Sequence, residues 1–479
     1  DDTNNRDEFT MRGKLAIQAT DDLTIDITTF VADFDNGYDA FSLDNTRQTL
    51  SDQPGFDRQD TKALATTFTY QGFNDFTLES IFSYADSTLD YGYDEDWAFV
   101  GIRPDWEYSS EDQYFRDKTS ATAELRAVSK PGGEIFNKST AWVTGLYFKQ
   151  EKTDLLRKYT YLSADFTSTF DTDNIAAFVQ FDSQLDKKLS LTTGLRLERR
   201  NSDYNDSEML AFSPNDTMVG GKVVLSYQMD KNNLFYGSIN RGYKAGGANT
   251  EGSLPADLRE FSPEYLWNYE LGYKVNLLNN QAYVRSAIFY MDRDDMQVRT
   301  SSLALREDGS TDFVSYLGNA ATGTNFGLEL EAGWQITPEL ELYGALGLLD
   351  TEYKGFIDSD GNDKSGDEQA HAPSYQFNLG LNYQLSDHLL LNISVDGKDE
   401  FLFSDTHQEK SEAIEIVNLS LSYTKDDWQV KLWARNLFDE TYATRGFYFG
   451  NDPRDEYTAK AYYQLAEPAV FGATFDYNF

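Results

Sequence analysis

The chain has 479 residues and carries 41 Lys and Arg against 80 Asp and Glu, a net charge of −39 that repels phosphate and excludes a nucleic-acid binder. Aromatic residues make up 15% of it, with 31 Tyr and 33 Phe, while Pro numbers only 10 and Cys is absent, the inventory of a strand-rich protein. A mean hydropathy of −0.58 and the lack of any apolar run of 18 residues exclude a helical membrane protein, but not a membrane barrel, whose strands expose apolar side chains only at alternate positions.

The chain opens at Asp1 with no initiator Met, basic stretch or apolar stretch, so the start reads as a cut and any signal peptide as already removed. A first strand over about 8–20 leads to a short turn at Asp21-Asp22. Further short turns follow at Asn74-Asp75, Pro131-Gly132-Gly133, Asp186-Lys187, Lys231-Asn232, Asn279-Asn280, Thr337-Pro338, Ser386-Asp387 and Asp426-Asp427. Between them run long polar and aromatic stretches, roughly 36–56, 90–112, 151–172, 201–215, 242–262, 292–311, 353–368, 400–412 and 444–462. Tight turns on one side and long loops on the other are the pattern of an outer-membrane barrel.

The segments between these connections alternate with period two. Leu189, Leu191, Leu195 and Leu197 are separated by Ser190, Thr192, Arg196 and Glu198; Leu389, Leu391, Ile393 and Val395 by Asn392, Ser394 and Asp396. Val417, Leu419, Leu421 and Tyr423 alternate with Asn418, Ser420, Ser422 and Thr424, and Trp428, Val430, Leu432 and Ala434 with Gln429, Lys431, Trp433 and Arg435. Helical spacing does not produce this, and each window reaches the length of about ten residues that a tilted strand needs to cross the hydrocarbon. The fold expected is all-β, an antiparallel up-and-down transmembrane barrel with about nineteen strands. An odd number cannot close antiparallel, so at least one strand is expected before Asp1, and a barrel of about 22 strands would need an internal plug, also expected upstream.

The chain ends Phe471-Gly472-Ala473-Thr474-Phe475-Asp476-Tyr477-Asn478-Phe479. Any amphipathic edge strand could end so, but Gly472, Phe475, Tyr477 and the terminal Phe479 together resemble the signal that the barrel assembly machinery reads. Ala434-Arg435-Asn436-Leu437-Phe438-Asp439-Glu440-Thr441-Tyr442 resembles the penultimate-strand motif of TonB-dependent receptors. Asn240-Arg241-Gly242-Tyr243-Lys244-Ala245-Gly246-Gly247, followed by Phe261-Ser262-Pro263-Glu264 and Trp267-Asn268-Tyr269-Glu270-Leu271-Gly272-Tyr273-Lys274, resembles that family as well. The resemblance extends over residues 1–479. It implies a bacterial outer-membrane receptor embedded in lipid and lipopolysaccharide, with 22 strands around an N-terminal plug. It also implies active uptake of a scarce nutrient, energised by the TonB protein through that plug. The plug and the TonB-contacting box are missing from this sequence. Of the family's ligands a ferric siderophore is the leading expectation and cobalamin or an oligosaccharide the alternative. A passive porin is the rival from another class.

No nucleophile motif, phosphate-cradling loop or clustered metal ligand is present, so no enzyme and no cofactor is expected. His371, His388 and His407 are scattered and read as structural, His407 in a long loop being the one to watch. Asp358-Ser359-Asp360-Gly361-Asn362-Asp363 partly resembles a calcium loop, with Gly361 one place early, and reads better as a solvated acidic loop. The candidate ligand contacts are Trp97, Phe99, Arg103, Trp106 and Tyr108 in one loop and Arg445 and Tyr448, with Phe447 and Phe449, in the last, because rings and guanidinium groups can stack on and pair with an anionic chelate. The plainer reading of each is the interfacial girdle or loop packing. With so acidic a surface, an anionic ligand requires Arg103 and Arg445 to focus a positive patch.

Overall fold

A computed structural model describes residues 3–306, 311–319, 322–357 and 361–478. Among the described residues nineteen wall strands, from Glu8–Thr20 to Val470–Tyr477, each pair antiparallel with the next wall strand along the chain, as an up-and-down barrel requires. A two-residue strand, Ala211–Phe212, adds to the end of Leu189–Asp206. The alternation does what the sequence predicts. Leu195 and Leu197 point outward, 55% and 52% exposed, while Arg196 and Glu198 face the lumen and pair with each other at 2.7 Å. The same parity puts Phe82 and Tyr84, Leu146 and Phe148, and Phe471 and Phe475 on the outer wall.

The strands run further than expected. Thr140–Tyr159 has 20 residues, and Phe166–Gln184 follows after only six, so most of the stretch 151–172 read as loop is strand. A 20-residue strand extends about 66 Å, and tilted at roughly 45° it still climbs about 47 Å, past the roughly 30 Å of hydrocarbon. Above the lipid its outer face is wet, so polar residues occupy both faces and the period-two signal fades.

Five of the short turns share a device whose bonds do not show in the sequence. Gln18, Gln184, Gln228, Gln335 and Gln384 each donate from Nε2 to the carbonyl oxygen two residues on, at 2.5–2.8 Å. In four of these turns the residue two on, Thr20, Asp186, Asp230 or Thr337, also accepts backbone N–H groups of the turn on its side-chain oxygen. Gln therefore closes one side of the turn and Thr or Asp the other. At Leu278, Asn279 and Asn280 the backbone is left-handed (φ 51°, 57° and 69°), which fits the Asn-Asn turn read from the sequence.

The first and last strands are each paired on one side only among the described residues. Above them, however, the two ends of the chain are tied together. Asn45 Nδ2 donates to the Ala461 carbonyl at 3.0 Å, Arg47 to that of Ala466 at 2.8 Å, and Arg454 pairs with Asp44 at 2.7 Å. Phe479 and Asp358, Ser359 and Asp360 lie outside the described residues, so the terminal aromatic and the first half of the calcium-like loop carry no structural account.

Two substitutions separate the turn device from the lipid face. Gln228→Ala is expected to cost about 1 kcal/mol through one lost hydrogen bond, and Leu271→Arg, placing charge on a side chain 71% exposed on the outer wall, roughly 2–4 kcal/mol. Urea unfolding in detergent, followed by the loss of heat-modifiable mobility on gels, measures both, and a smaller loss for Leu271→Arg than for Gln228→Ala would contradict the assigned faces.

Candidate ligand-binding site

The long segments gather at one end of the barrel and bring their aromatic residues together over its mouth. Phe41 stacks on Trp97 with ring centroids 5.0 Å apart and planes 11° apart, and it meets Phe447 at 5.1 Å. Phe449 and Tyr462 stand edge-on to Trp97 at 5.6 and 5.4 Å. Leu43, Ala98, Phe449 and Tyr462 form a buried cluster beside them. Each ring pair contributes roughly 0.5–1.5 kcal/mol beyond its burial, so three segments distant in sequence hold one another down. Trp97 adopts a left-handed backbone (φ 54°), uncommon for so bulky a residue, with its N–H bonded to Asp94 Oδ1 at 2.8 Å.

Beneath these rings lies a cavity of about 240 Å³. One wall comes from lumen-facing positions high on the strands, where side chains two apart share a face: Tyr91 and Tyr93 on Phe76–Asp94, Asp112, Tyr114 and Arg116 on Glu111–Ser129, Arg157 and Tyr159 on Thr140–Tyr159. The other wall comes from loops: Arg299 and Phe313 on the hairpin Gln297–Leu305 with Thr311–Asn319, and Arg445, Phe447 and Phe449 on Ala443–Phe449.

Asp112 organises the strand wall. Buried to 1% exposure, it receives Arg157 Nε and Nη2 at 2.8 and 2.7 Å and the hydroxyls of Tyr114 and Tyr93 at 2.8 and 3.2 Å. Those hydroxyls and that guanidinium are committed to the carboxylate, and Arg116 and Arg157 lie over the Tyr114 ring, 4.8 and 5.0 Å from its centroid. Arg116 is likewise paired with Glu251 at 2.7 Å, and Glu95 with Arg306 at 2.9 Å. Arg299, whose Nε bonds only Ser315 Oγ at 3.0 Å, and Arg445, which lies over the Phe447 ring at 5.6 Å, have no ion pair among the described residues. In a chain of net charge −39, the cavity thus has two arginines without an ion pair among the described residues.

The hairpin is fastened at both ends of its reach. Arg306 bonds Glu95, Asp312 and the Tyr159 hydroxyl and lies over Tyr161, 3.5 Å from the ring centroid. Asn249 exchanges two hydrogen bonds with the Leu317 backbone at 2.8 and 2.9 Å, and Phe313 packs on Phe447 and Phe449 at 5.3 and 5.5 Å.

Of the residues singled out in the sequence, Trp97 and Arg445 line the cavity, as do Phe447 and Phe449. Phe99, Arg103, Trp106, Tyr108 and Tyr448 do not. Arg103 stacks over Trp106 at 5.1 Å, Trp106 packs on Tyr108 at 5.4 Å, and Tyr448 faces His407 at 6.3 Å. The positive patch therefore forms from Arg445 and Arg299, without Arg103. His371 lies against Phe401 at 5.2 Å, His388 bonds the Thr424 carbonyl through Nδ1 at 3.0 Å, and burial pushes the His371 and His407 imidazoles below their usual pKa. Among the described residues no three His, Cys, Asp or Glu side chains are grouped to hold a metal ion.

Burial, reinforced by neighbouring Asp94, pushes the Asp96 carboxyl up to about 9. Asp96 Oδ1 accepts the Ala98 N–H at 3.1 Å, and its carboxyl sits beside that of Asp94, which favours the protonated form. An acid whose folded pKa is raised binds its proton more tightly in the folded state, so its contribution is intact below the unfolded value near 4 and is lost as pH rises toward 9. Limited proteolysis of the 95–110 segment is expected to accelerate between pH 6 and pH 9.5 and to become flat with pH in Asp96→Asn; equal pH dependence in both proteins would refute the assignment.

A family model described as TonB dependent receptor-like, beta-barrel matches residues 10–437. The pesticin receptor of Yersinia pestis is 22% identical over 325 residues, covering 64% of this chain and 46% of that protein, and that of Yersinia enterocolitica is 23% identical over the same shares. The chain thus spans about half the length of these curated relatives. Among solved structures, the ferric yersiniabactin uptake receptor of Yersinia pestis superposes with a TM-score of 0.79 at 18% identity, over 99% of this chain and 71% of that one. The closed form of the ferric-catecholate import receptor of E. coli K12 gives 0.74 at 16%, over 99% and 75%.

Proposed function

The chain belongs to the TonB-dependent receptors, as their outer-membrane β-barrel, and from that premise we propose that it captures a ferric siderophore at its outer mouth for active uptake. The observation that carries this reading is the ring-lined cavity in which Arg299 and Arg445 have no ion pair among the described residues of an acidic molecule. A chelate that brings its own iron needs no protein metal ligands, and its negative charge finds these two cations. The relatives whose names mention ferric chelates support the same reading.

The sequence-level alternatives fare differently at this site. An oligosaccharide would use the ring faces but leave both guanidinium groups without an anion. A passive channel has no use for a mouth roofed by three packed segments. Neutralising the uncompensated charge also answers the conflict between a −39 chain and an anionic ligand.

Completion of the barrel by strands preceding Glu8, a plug within the lumen and contact of that plug with TonB belong to the same proposal, as do insertion by the barrel assembly machinery and contact with lipopolysaccharide. The test is uptake of radio-iron by cells in which the intact receptor is the sole route for a panel of ferric chelates. Uptake of at least one chelate that stops when TonB is deleted is the expected result; diffusive entry unaffected by TonB would leave a channel instead.

A further inference from the structure

The connection between Glu111–Ser129 and Thr140–Tyr159 runs on past the predicted turn at Pro131-Gly132-Gly133 as far as Ser139, and it folds outward. Trp142 shares the parity of Leu146 and Phe148 on the outer wall, and its Nε1 donates to the Gly133 carbonyl at 3.1 Å. Thr140, of the same parity, is only 1% exposed, with its hydroxyl bonded to Ser183 Oγ at 2.9 Å and Ser139 Oγ 3.3 Å away. An outward-facing hydroxyl so deeply covered, and an indole held by Gly133, put the root of the connection on the lipid side of the wall. That root is fixed. A methyl group on Gly133 would come within 1.7 Å of the Asp75 carbonyl oxygen, Lys130 Nζ donates to the carbonyls of Gln71 and Phe73, and the Gln184 N–H bonds the Ser139 carbonyl at 2.7 Å. From it Ile135 and Thr140 exchange backbone bonds of 3.0 and 3.2 Å, and the tip between them is left-handed at Phe136, Asn137 and Lys138 (φ 53°, 59° and 63°). A bulky ring seldom takes that backbone. Here it leaves Phe136 70% exposed, with Ile135 exposed beside it.

We propose that this outward finger is a membrane anchor, with Ile135 and Phe136 entering the periplasmic leaflet where headgroups meet hydrocarbon. The short-turn side of an outer-membrane barrel faces the periplasm, and the finger is rooted on the lipid-facing wall, not on the lumen. It stands beside an aromatic row on that wall: Tyr70 meets Phe73 at 5.2 Å, Phe73 stacks on Phe76 at 4.5 Å, and Phe76 meets Trp142 at 6.0 Å. Its apolar surface is therefore continuous with rings already at the interface, which selects lipid as the occupant. Lys138, exposed at the same tip, is long enough to keep its ammonium among the phosphates while Phe136 lies deeper. The turns at Asp21-Asp22, Asp186-Lys187, Lys231-Asn232 and Asp426-Asp427 carry charged or polar side chains where this one carries a ring, so the grip is confined to one sector. Rings on the strands mark the depth of the wall. The finger reaches beyond the wall and holds that sector against tilting.

The 479 residues contain no cysteine, so one introduced at Phe136 carries a single nitrobenzoxadiazole label, read against the background of the parent. The intact receptor, labelled as Phe136→Cys, Lys187→Cys or Lys231→Cys, is placed in nanodiscs of phosphatidylcholine and phosphatidylglycerol. Its fluorescence is then quenched by iodide from the water and, separately, by a lipid bearing a nitroxide near its headgroup. Relative to the labels at 187 and 231, the label at 136 is expected to be quenched at least about threefold less by iodide and at least about threefold more by the nitroxide lipid. A label at 136 as open to iodide as the other two would overturn the proposal and leave a surface free for water or a periplasmic protein. Adding Gly133→Ala, with folding checked by heat-modifiable mobility, is expected to open the label at 136 to iodide, because the root can no longer seat against Asp75. Trp142→Phe, which keeps a ring and loses the bond to Gly133, makes the same test if Gly133→Ala does not fold. Unchanged quenching in the folded variant would refute the positioning of the finger by its root.

Discussion

A backbone in hydrocarbon has no water to bond, and that constraint governs this molecule. Each N–H and C=O within the membrane must find another strand, so the chain runs up and down against itself in register from one strand to the next. Once that pairing is imposed, the side chains divide by parity: apolar groups to lipid, polar groups to a lumen where Arg196, Glu198, Asn174 and Tyr243 satisfy one another. The pairing also frees the upper strand ends to rise above the lipid, where the same parity presents Tyr91, Tyr93, Tyr114 and Arg157 inward. The cavity is thus a by-product of strand length. It is completed by loops that could not make it alone.

Much of this was legible in the sequence, for physical reasons that can be named. Leu189 to Leu197 and Val417 to Tyr423 sit where one face meets lipid and the other water, the only setting that enforces strict alternation. Turns announced themselves through Asn, Asp, Gly and Pro, because few other residues tolerate the backbone required. The strand portions within 151–172 and 90–112 stayed hidden, since polar side chains on both faces look the same in a wet strand and in a loop. Trp97 and Arg445 were found because rings and guanidinium groups cluster in long loops. Tyr91, Tyr93 and Tyr159 were missed as a wall because their strands were read as loop there, and Arg299 because pairing, unlike charge, is not written locally. The Gln two residues before Thr20, Asp186, Asp230, Thr337 and Ser386 was a visible repeat, recognisable only once its bond was known.

Electrostatics in the mouth follow from competition rather than abundance. The chain has about twice as many acids as bases, yet each of the cavity's acids already holds an arginine, and Arg299 and Arg445 have no ion pair among the described residues. Breaking one such pair would do more than delete a contact. A buried Arg157 stripped of Asp112 would be left without its counter-ion, holding only the Glu251 carbonyl and Ser253 Oγ, and removing one member of such a pair costs roughly 3–5 kcal/mol.

The glutamine-clipped turns have a consequence for how such a wall can change over time. Each fixes the offset between its two strands within about half a dozen residues, from side-chain to backbone bonds that involve no neighbouring hairpin. A hairpin is therefore a self-indexed unit. Whole hairpins can be duplicated, lost or exchanged, changing the circumference of the wall by two strands at a time, while the alignment inside every remaining hairpin is left untouched.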